Sequence, residues 1–423
     1  MQGISIFSFA GDRRRGNSDR RGTPRGGRRV SDKIRLALFT AACTLAFTNA
    51  AKAATGPAPM KFGFDVNSAK HARELGMPVA YGSLWVGAWN QPEKYGWGGI
   101  KDQLQTAKAS GVTPIVLWWY WGDDISPSCV ENGCQDRYEN VHKDKATWYR
   151  MTNELADLIV NVMGPDSGTI VVVENEFNQG GIGTYKPFDG YLVDQINALH
   201  QRKLTAAIEF GNWDRQYWKN FSGAAAAADV LGAMALESSL RDATTYLSGA
   251  DGLLDMARYY KAAFNKPVMI TDVGFSSYPE PSYLNDQDTV VRDIFSRVDE
   301  FRAAGVQGLV WRMLTDDPKF DTSNYHGEAE RHWGLLHADG SAKPAFQPFL
   351  NGMLTEKAFA DAMAAEAAAE AEAAAAAAAA QQAAAVQQTQ QQKTAATAPA
   401  VPVPSRSRGG SGLVGRAVPR ATN

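Results

Sequence analysis

Between Met60 and about Gly352, short apolar runs alternate with helical stretches. Eight runs read as strands: KFGFDV (61–66), PVAYGSLWV (78–86), VTPIVLWWY (112–120), TIVVVENE (169–176), LTAAIEF (204–210), VLGAMALE (230–237), KPVMITDVG (266–274) and VQGLVW (306–311). Segments such as GIKDQLQTAKASG and TVVRDIFSRVDEFRAAG separate them, and several end in glycine, as helix C-termini tend to. Strands apolar on both faces belong to parallel sheets. Eight strand–helix units therefore predict a closed (β/α)8 barrel, the TIM barrel. An open doubly wound sheet is the alternative, but no strand leads into a G-x-G-x-x-G loop.

The flanks read differently. Residues 1–29 are rich in Arg, Gly and Ser without apolar periodicity. They read either as an upstream misassigned start, with translation beginning near Val30, or as a disordered basic leader. Lys33 and Arg35, the apolar run Leu36 to Phe47 and the A-x-A triplet Ala51-Lys52-Ala53 then compose a secretory signal cleaved near Ala53. No membrane span is expected in the mature chain. Residues 54–356 are the predicted barrel domain. From 357 to 423 the chain is a low-complexity tail, Ala- and Gln-rich and then Pro-rich, expected to be helical or disordered. The net charge of −2 gives no reason to expect nucleic acid as a partner. A monomer is expected. In an exported chain, Cys129 and Cys134, around an Asn-Gly turn in SCVENGC, predict a loop-stapling disulfide.

In a parallel barrel, function collects at the C-terminal ends of the strands. Those ends carry Asp65, Trp85, Trp119 with Trp121, Glu176, Glu209, Glu237, Asp272, and Trp311 with Arg312. The opposite ends show Lys61, Thr113, Thr169, Thr205 and Lys266. Carboxylates and indoles are thus gathered at one end. Side chains alternate along a strand, so Val172, Glu174 and Glu176 share one face, as do Val268, Ile270 and Asp272. If both faces point inward, Glu176 and Asp272 meet across the mouth, with Glu174 one layer deeper. Two carboxyl groups across a cavity suit glycoside hydrolysis: one protonates the leaving oxygen, and the other attacks or activates water. Burial and like charge would let one hold its proton near neutral pH.

Several of these motifs resemble those of clan A glycoside hydrolases. Asn175-Glu176, at the end of the fourth strand, resembles the clan's Asn-Glu signature. KPVMITDVGFSS resembles its seventh strand, HWGLLHADGSAKPAFQPF (332–349) its closure after the eighth, and Trp311 the tryptophan ending that strand. The resemblance implies that Glu176 is the acid/base, that Asn175 bonds the sugar 2-hydroxyl, and that Asp272 stands where the clan has a nucleophilic Glu. Asp is shorter by one methylene, which widens the carboxyl gap by roughly an ångström. Three readings stay open: Asp272 attacks from a backbone that has moved in, Asp272 activates water, or catalysis is lost.

Other candidates follow from position. Trp85, Trp119, Trp121 and Trp311 are candidate sugar-stacking residues, with core packing as the alternative, while Trp118 and Trp148 read as packing. Glu237 is a reserve second carboxylate or a substrate contact. Arg312 pairs with Asp272 and lowers its pKa, or forms an ordinary ion pair. No H-x-H or H-x-x-E-H pattern occurs among the six histidines, so no metal or other cofactor is expected. The serines in FSSYP lack the strand–turn–helix context of a serine hydrolase. The leading expectation is an exported glycosidase acting on a poly- or oligosaccharide. The alternatives are a glycan-binding barrel without catalysis and a secreted scaffold whose tail engages the envelope.

Overall fold

A computed structural model of the chain describes residues 58–87, 96–120, 135–175, 177, 183–211, 215–237, 249–281, 283–322 and 327–396. Eight parallel strands close into a barrel in chain order. They are β1 (Lys61–Asp65), β2 (Val79–Gly87), β3 (Thr113–Trp119), β4 (Ile170–Val173), β5 (Thr205–Gly211), β6 (Val230–Glu237), β7 (Val268–Phe275) and β8 (Val306–Trp311), with β8 pairing back to β1. The described helices are α1 (Val66–Glu74), α2 (Gly98–Ser110), α3 (Gln135–Met163), α4 (Pro187–His200), α5 (Ser222–Ala227), α6 (Gly249–Phe264), α7 (Leu284–Ser296), α8 (Val298–Ala303) and α9 (Phe346–Ala396). The expected (β/α)8 barrel is the observed one.

Alternation splits each strand between two cores. Ile115, Leu117, Ile170, Val172, Ala207, Val230, Met269 and Val310 fill the barrel interior, with Tyr81 and Trp85 against them. Their neighbours, among them Phe62, Phe64, Val116, Val171, Ile208, Ala233, Ile270 and Leu309, pack outward under the helices. This two-sided burial is why the strands read as continuous apolar runs. Gly63, between Phe62 and Phe64, has no side chain because a Cβ there would lie 2.6 Å from the Tyr81 carbonyl oxygen.

Local signals set the helix ends. The Asp65 carboxylate accepts from the backbone N–H groups of Asn67 and Ser68 at 3.0 and 3.1 Å, so α1 starts directly after the last residue of β1. Gly111 ends α2 in the left-handed region at φ 65°. At the N-terminal end of the barrel, Glu356 of α9 accepts from the Met60 backbone N–H at 2.9 Å and pairs with Arg302 at 3.0 Å.

The chain divides into two units. One is Ala53–Glu370, the barrel with the first half of α9. The other joins Met1–Lys52 to Ala371–Asn423, and of it only 371–396 is described, an Ala- and Gln-rich helical stretch with exposed side chains. No described helix is long and apolar enough to cross a membrane. The proposed signal, Cys129, Cys134 and Trp121 lie outside the described residues.

Candidate active site

The phase of each strand decides which end residues enter the mouth. On β1, Phe64 faces the helices and Asp65 follows on the inner face. On β2, Val86 packs outward, and Trp85 lies against the inner core. On β8, Val310 is inside and Trp311 outside, so Arg312 turns inward again.

β7 breaks the simple alternation. Val268 and Ile270 pack outward, and Met269 packs inward. The pairing with β6 then skips Thr271: Ala233 faces Ile270 and Met234 faces Asp272. The pairing with β8 is irregular over the same residues. Thr271 is thus the extra residue of a bulge. Its hydroxyl bonds the Glu209 carboxylate, and Asp272 is sent to the mouth next to it. Asp272 therefore does not share a face with Val268 and Ile270, as plain alternation predicts. The bulge, which changes the phase by one residue, is what brings it inward.

Asp272 is 1% exposed. Its Oδ2 accepts two hydrogen bonds, from the Trp85 indole N–H at 3.0 Å and from Arg312 Nη1 at 2.8 Å. The Arg312 guanidinium lies over the Trp85 ring at 5.5 Å and near Phe320 at 5.9 Å, and its Nη2 is 3.9 Å from Glu330. Glu330 in turn accepts from the Trp333 indole at 2.9 Å. Burial pushes the Asp272 carboxyl above its ordinary value. The Arg312 charge and the two donors oppose that rise, the nearby Asp65 charge adds to it, and the net direction is upward. Burial likewise raises Asp65 against its bonds from Ser68 and Asn67. Among the described residues no partner reaches Asp272 Oδ1 or Arg312 Nε. Unpaired buried polar atoms are costly and mark places where something else binds.

At the fourth strand, regular pairing stops at Val173. Glu174 takes φ 54°, its backbone N–H donates to the Trp118 carbonyl, and its carboxylate accepts from the Tyr120 N–H at 3.1 Å. Glu174 thus leaves the strand in a turn and is tied to the end of β3. Asn175 is fully buried, and neither of its amide atoms has a partner among the described residues. Glu176 lies outside the described residues.

The remaining expected site residues separate. Trp119, on β3, packs edge-on to Trp85 at 5.5 Å. Trp311 packs on Phe275 and Phe349, and its indole donates to the Trp333 carbonyl at 2.9 Å. It is a helix-side core residue and not a stacking surface, because it sits one step out of phase with Arg312. Glu237 follows the outward Ala233 and Ala235, and it accepts from the Gly249 N–H at the start of α6 at 3.3 Å. This places Glu237 in a helix cap, not opposite Asp272.

Two groups were not legible. Glu330, in a short 3-10 helix (Gly327–Arg331), and Trp333, just after it, follow β8, where no strand periodicity shows direction. Farther along the chain, Lys343 is fully buried, with its ammonium 2.7 Å from Asp316, 2.7 Å from the Ser277 hydroxyl and 3.3 Å from Glu280. Glu280, Asp316 and His337 are close enough together to hold a cation, and Lys343 supplies one among them. The network ties the loop after β7 to the loop after β8.

Solved structures share this architecture. A GH5_18 protein from Bifidobacterium longum subsp. longum, in complex with Manβ1-4GlcNAc, matches with TM-score 0.50 and 17% identity over 70% of this chain and 78% of its own. A GH5_18 protein from Bifidobacterium longum subsp. infantis gives TM-score 0.50 and 16% identity over 70% and 79%. An exo-β-1,4-mannosidase from Opitutaceae bacterium strain TAV5 gives TM-score 0.54 and 13% identity over 73% of this chain and 61% of that one. No family model and no curated protein matches the sequence. At these identities the likeness is one of fold, and the resemblance to clan A glycoside hydrolases holds at that level.

Proposed function

We propose that the chain is an exported glycoside hydrolase that cleaves O-glycosidic bonds in a polysaccharide or oligosaccharide with two carboxylates. The observation that carries this reading is Asp272: buried at the C-terminal mouth of the barrel, with Oδ2 held by two donors and Oδ1 without a partner among the described residues. An oriented carboxylate with one free oxygen is what attack on an anomeric carbon, or activation of a water beside it, requires.

Glu176 is the acid/base. It follows Asn175 in the sequence, and its proton goes to the leaving oxygen. The Asn175 amide, without a partner among the described residues, then bonds the hydroxyl next to the reacting carbon, a contact that stabilises the transition state more than the ground state. The bulge at Thr271 supports an Asp in this role, because it carries the shorter side chain inward on its backbone. Whether Asp272 attacks or activates water depends on the gap to Glu176. Export follows from the signal ending near Ala53, and the working chain is a monomer in the periplasm or the medium.

The Arg312 ion pair favours a second reading, glycan binding without cleavage, because a neutralised carboxylate is a weaker nucleophile. One experiment separates the two. The full chain, Glu176→Gln and Asp272→Asn are incubated with a panel of bacterial and plant polysaccharides, and new reducing ends are counted. Release by the wild type alone supports hydrolysis, and the anomer of fresh product distinguishes retention from inversion. Binding by all three without release supports the second reading.

A further inference from the structure

The geometry points to Trp85 as a positioning residue that keeps the Arg312–Asp272 pair on a single carboxylate oxygen, so that Oδ1 stays available for the reaction. This rests on the glycosidase reading above.

An arginine beside a carboxylate ordinarily grips it with two parallel N–H bonds, one to each oxygen. Here Arg312 uses only Nη1, on Oδ2, while its Nε is buried without a partner among the described residues. The second bond to Oδ2 comes from the Trp85 indole. Two donors on one oxygen fix the carboxylate's rotation and turn Oδ1 away from the guanidinium. Without the indole N–H, nothing described would stop the carboxylate rotating into the two-bond grip, which would occupy both oxygens.

Trp85 is itself held. Its ring meets Trp119 edge-on at 5.5 Å, the Arg312 guanidinium lies over it, and it packs against Met234, Leu236 and Trp333. A sugar-stacking indole presents a free face, and this one has a guanidinium over it. The charged or titratable groups that act on Asp272 are Arg312, just after β8, and Asp65 of β1, with Glu330 behind Arg312.

Two measurements test the proposal. The first needs no substrate: the Trp85 indole N–H resonance of the ¹⁵N-labelled full chain is followed with pH. It is expected to move as Asp272 titrates and to stay still in Asp272→Asn. An indole resonance indifferent to Asp272 would overturn the proposal. The second uses Trp85→Phe, which keeps a ring and loses the donor. A crystal structure of the variant is expected to show Arg312 Nε on Oδ1. With the polysaccharide that the wild type cleaves, kcat falls about tenfold and KM changes little, the loss of one hydrogen bond to a charged group. A raised KM at unchanged kcat, or Oδ1 still unpaired in the variant, would overturn it in favour of stacking. If the wild type cleaves nothing, the glycosidase reading fails, and the resonance and the variant's crystal structure still decide the role of Trp85. If Trp85→Phe does not fold, the resonance in wild type and Asp272→Asn decides it alone.

Discussion

Arg312 and Asp272 form an ion pair through one nitrogen and one oxygen, Nη1 and Oδ2, at 2.8 Å, in a site where the carboxylate is 1% exposed. The pair keeps a buried carboxylate ionisable: burial raises Asp272, and the adjacent positive charge is the largest influence pulling it back. The guanidinium also spans to Glu330, so both its charge and its planar fork matter.

Replacing Arg312 by Met removes that opposing charge, and Asp272 rises further. An opposite charge at this range shifts a carboxyl by about 1–3 units. The acid limb of the kcat/KM profile is therefore expected to move to higher pH in Arg312→Met. Arg312→Lys keeps a charge but has no fork to reach both Asp272 and Glu330, and its limb is expected between the two. A pH–rate profile of the three proteins checks this; a limb unmoved by Arg312→Met would show that the guanidinium does not set the ionisation of Asp272.

The raised Asp272 also links stability to pH. In the folded protein Asp272 holds its proton to higher pH than in the unfolded chain. Between the two values the native state binds more protons, so its stability falls as pH rises. The contribution is full below the ordinary Asp range and is lost as pH climbs through the folded value. Calorimetric melting of wild type and Asp272→Asn from pH 3 to 7 is expected to show a steeper decline in the wild type over that window. Asp65 and Asp316 are raised as well, so the variant keeps part of the slope.

Much of the barrel was legible because two-sided burial writes itself as apolar runs; VLGAMALE and VQGLVW coincide with β6 and β8 to the residue. The site was legible by position and not by direction. Asp272, Arg312 and Trp85 converge, but a strand's period carries no mark for a bulge, so the inward turn of Asp272 after the outward Ile270 had no signal in the sequence. The same one-residue phase separates Arg312 in the mouth from Trp311 in the core. Counting inward from Val310, or outward from Ala235, would have placed Trp311 and Glu237 correctly once one interior residue on each strand was known. Glu330, Trp333 and Lys343 lie after β8 outside any strand, where only tertiary contacts give direction.

Lys343 carries a buried charge between two elements. Its ammonium meets Asp316, Ser277 and Glu280 with no exposure of its own. Lys343→Met leaves Asp316 buried without its cation, a loss of about 3–5 kcal/mol in comparable buried pairs. Urea unfolding is expected to show a lowered midpoint at unchanged slope. Replacing Lys357 on the exposed surface is expected to change stability by about 0.5 kcal/mol or less, since its pair with Asp361 is solvated on both sides.

Two glycines are expected to respond in opposite directions to alanine. At Gly63 a Cβ would stand 2.6 Å from the Tyr81 carbonyl oxygen and 2.7 Å from its Cβ, inside the barrel wall. Backbone cannot give way there cheaply, so Gly63→Ala costs about 1–3 kcal/mol. At Gly99, in the first turn of α2, a Cβ meets nothing within 4 Å. Gly99→Ala is expected to stabilise by about 0.4–1 kcal/mol, through the lost freedom of the unfolded chain. Chemical unfolding of both variants beside the wild type checks the signs.

The end of the folding unit is set by Glu356. That carboxylate is 3% exposed, accepts from the Met60 N–H and pairs with Arg302, so the first turns of α9 close the N-terminal end of the barrel. Phe349 and Met353 pack beneath it. A chain ending after Gly352 loses Met353 and the Glu356 partner of Arg302, whose remaining ion pair, with Asp299, is to an exposed carboxylate. A chain ending after Glu370 keeps every one of these contacts and removes residues 371–423, of which the described part is an Ala- and Gln-rich helical stretch with mostly exposed side chains. Melting temperatures are expected to be equal for the full chain and the chain ending at Glu370, and clearly lower for the chain ending at Gly352. Equal melting of all three would place the end of the barrel at or before Gly352, within the first two turns of α9, and remove Glu356 from its closure.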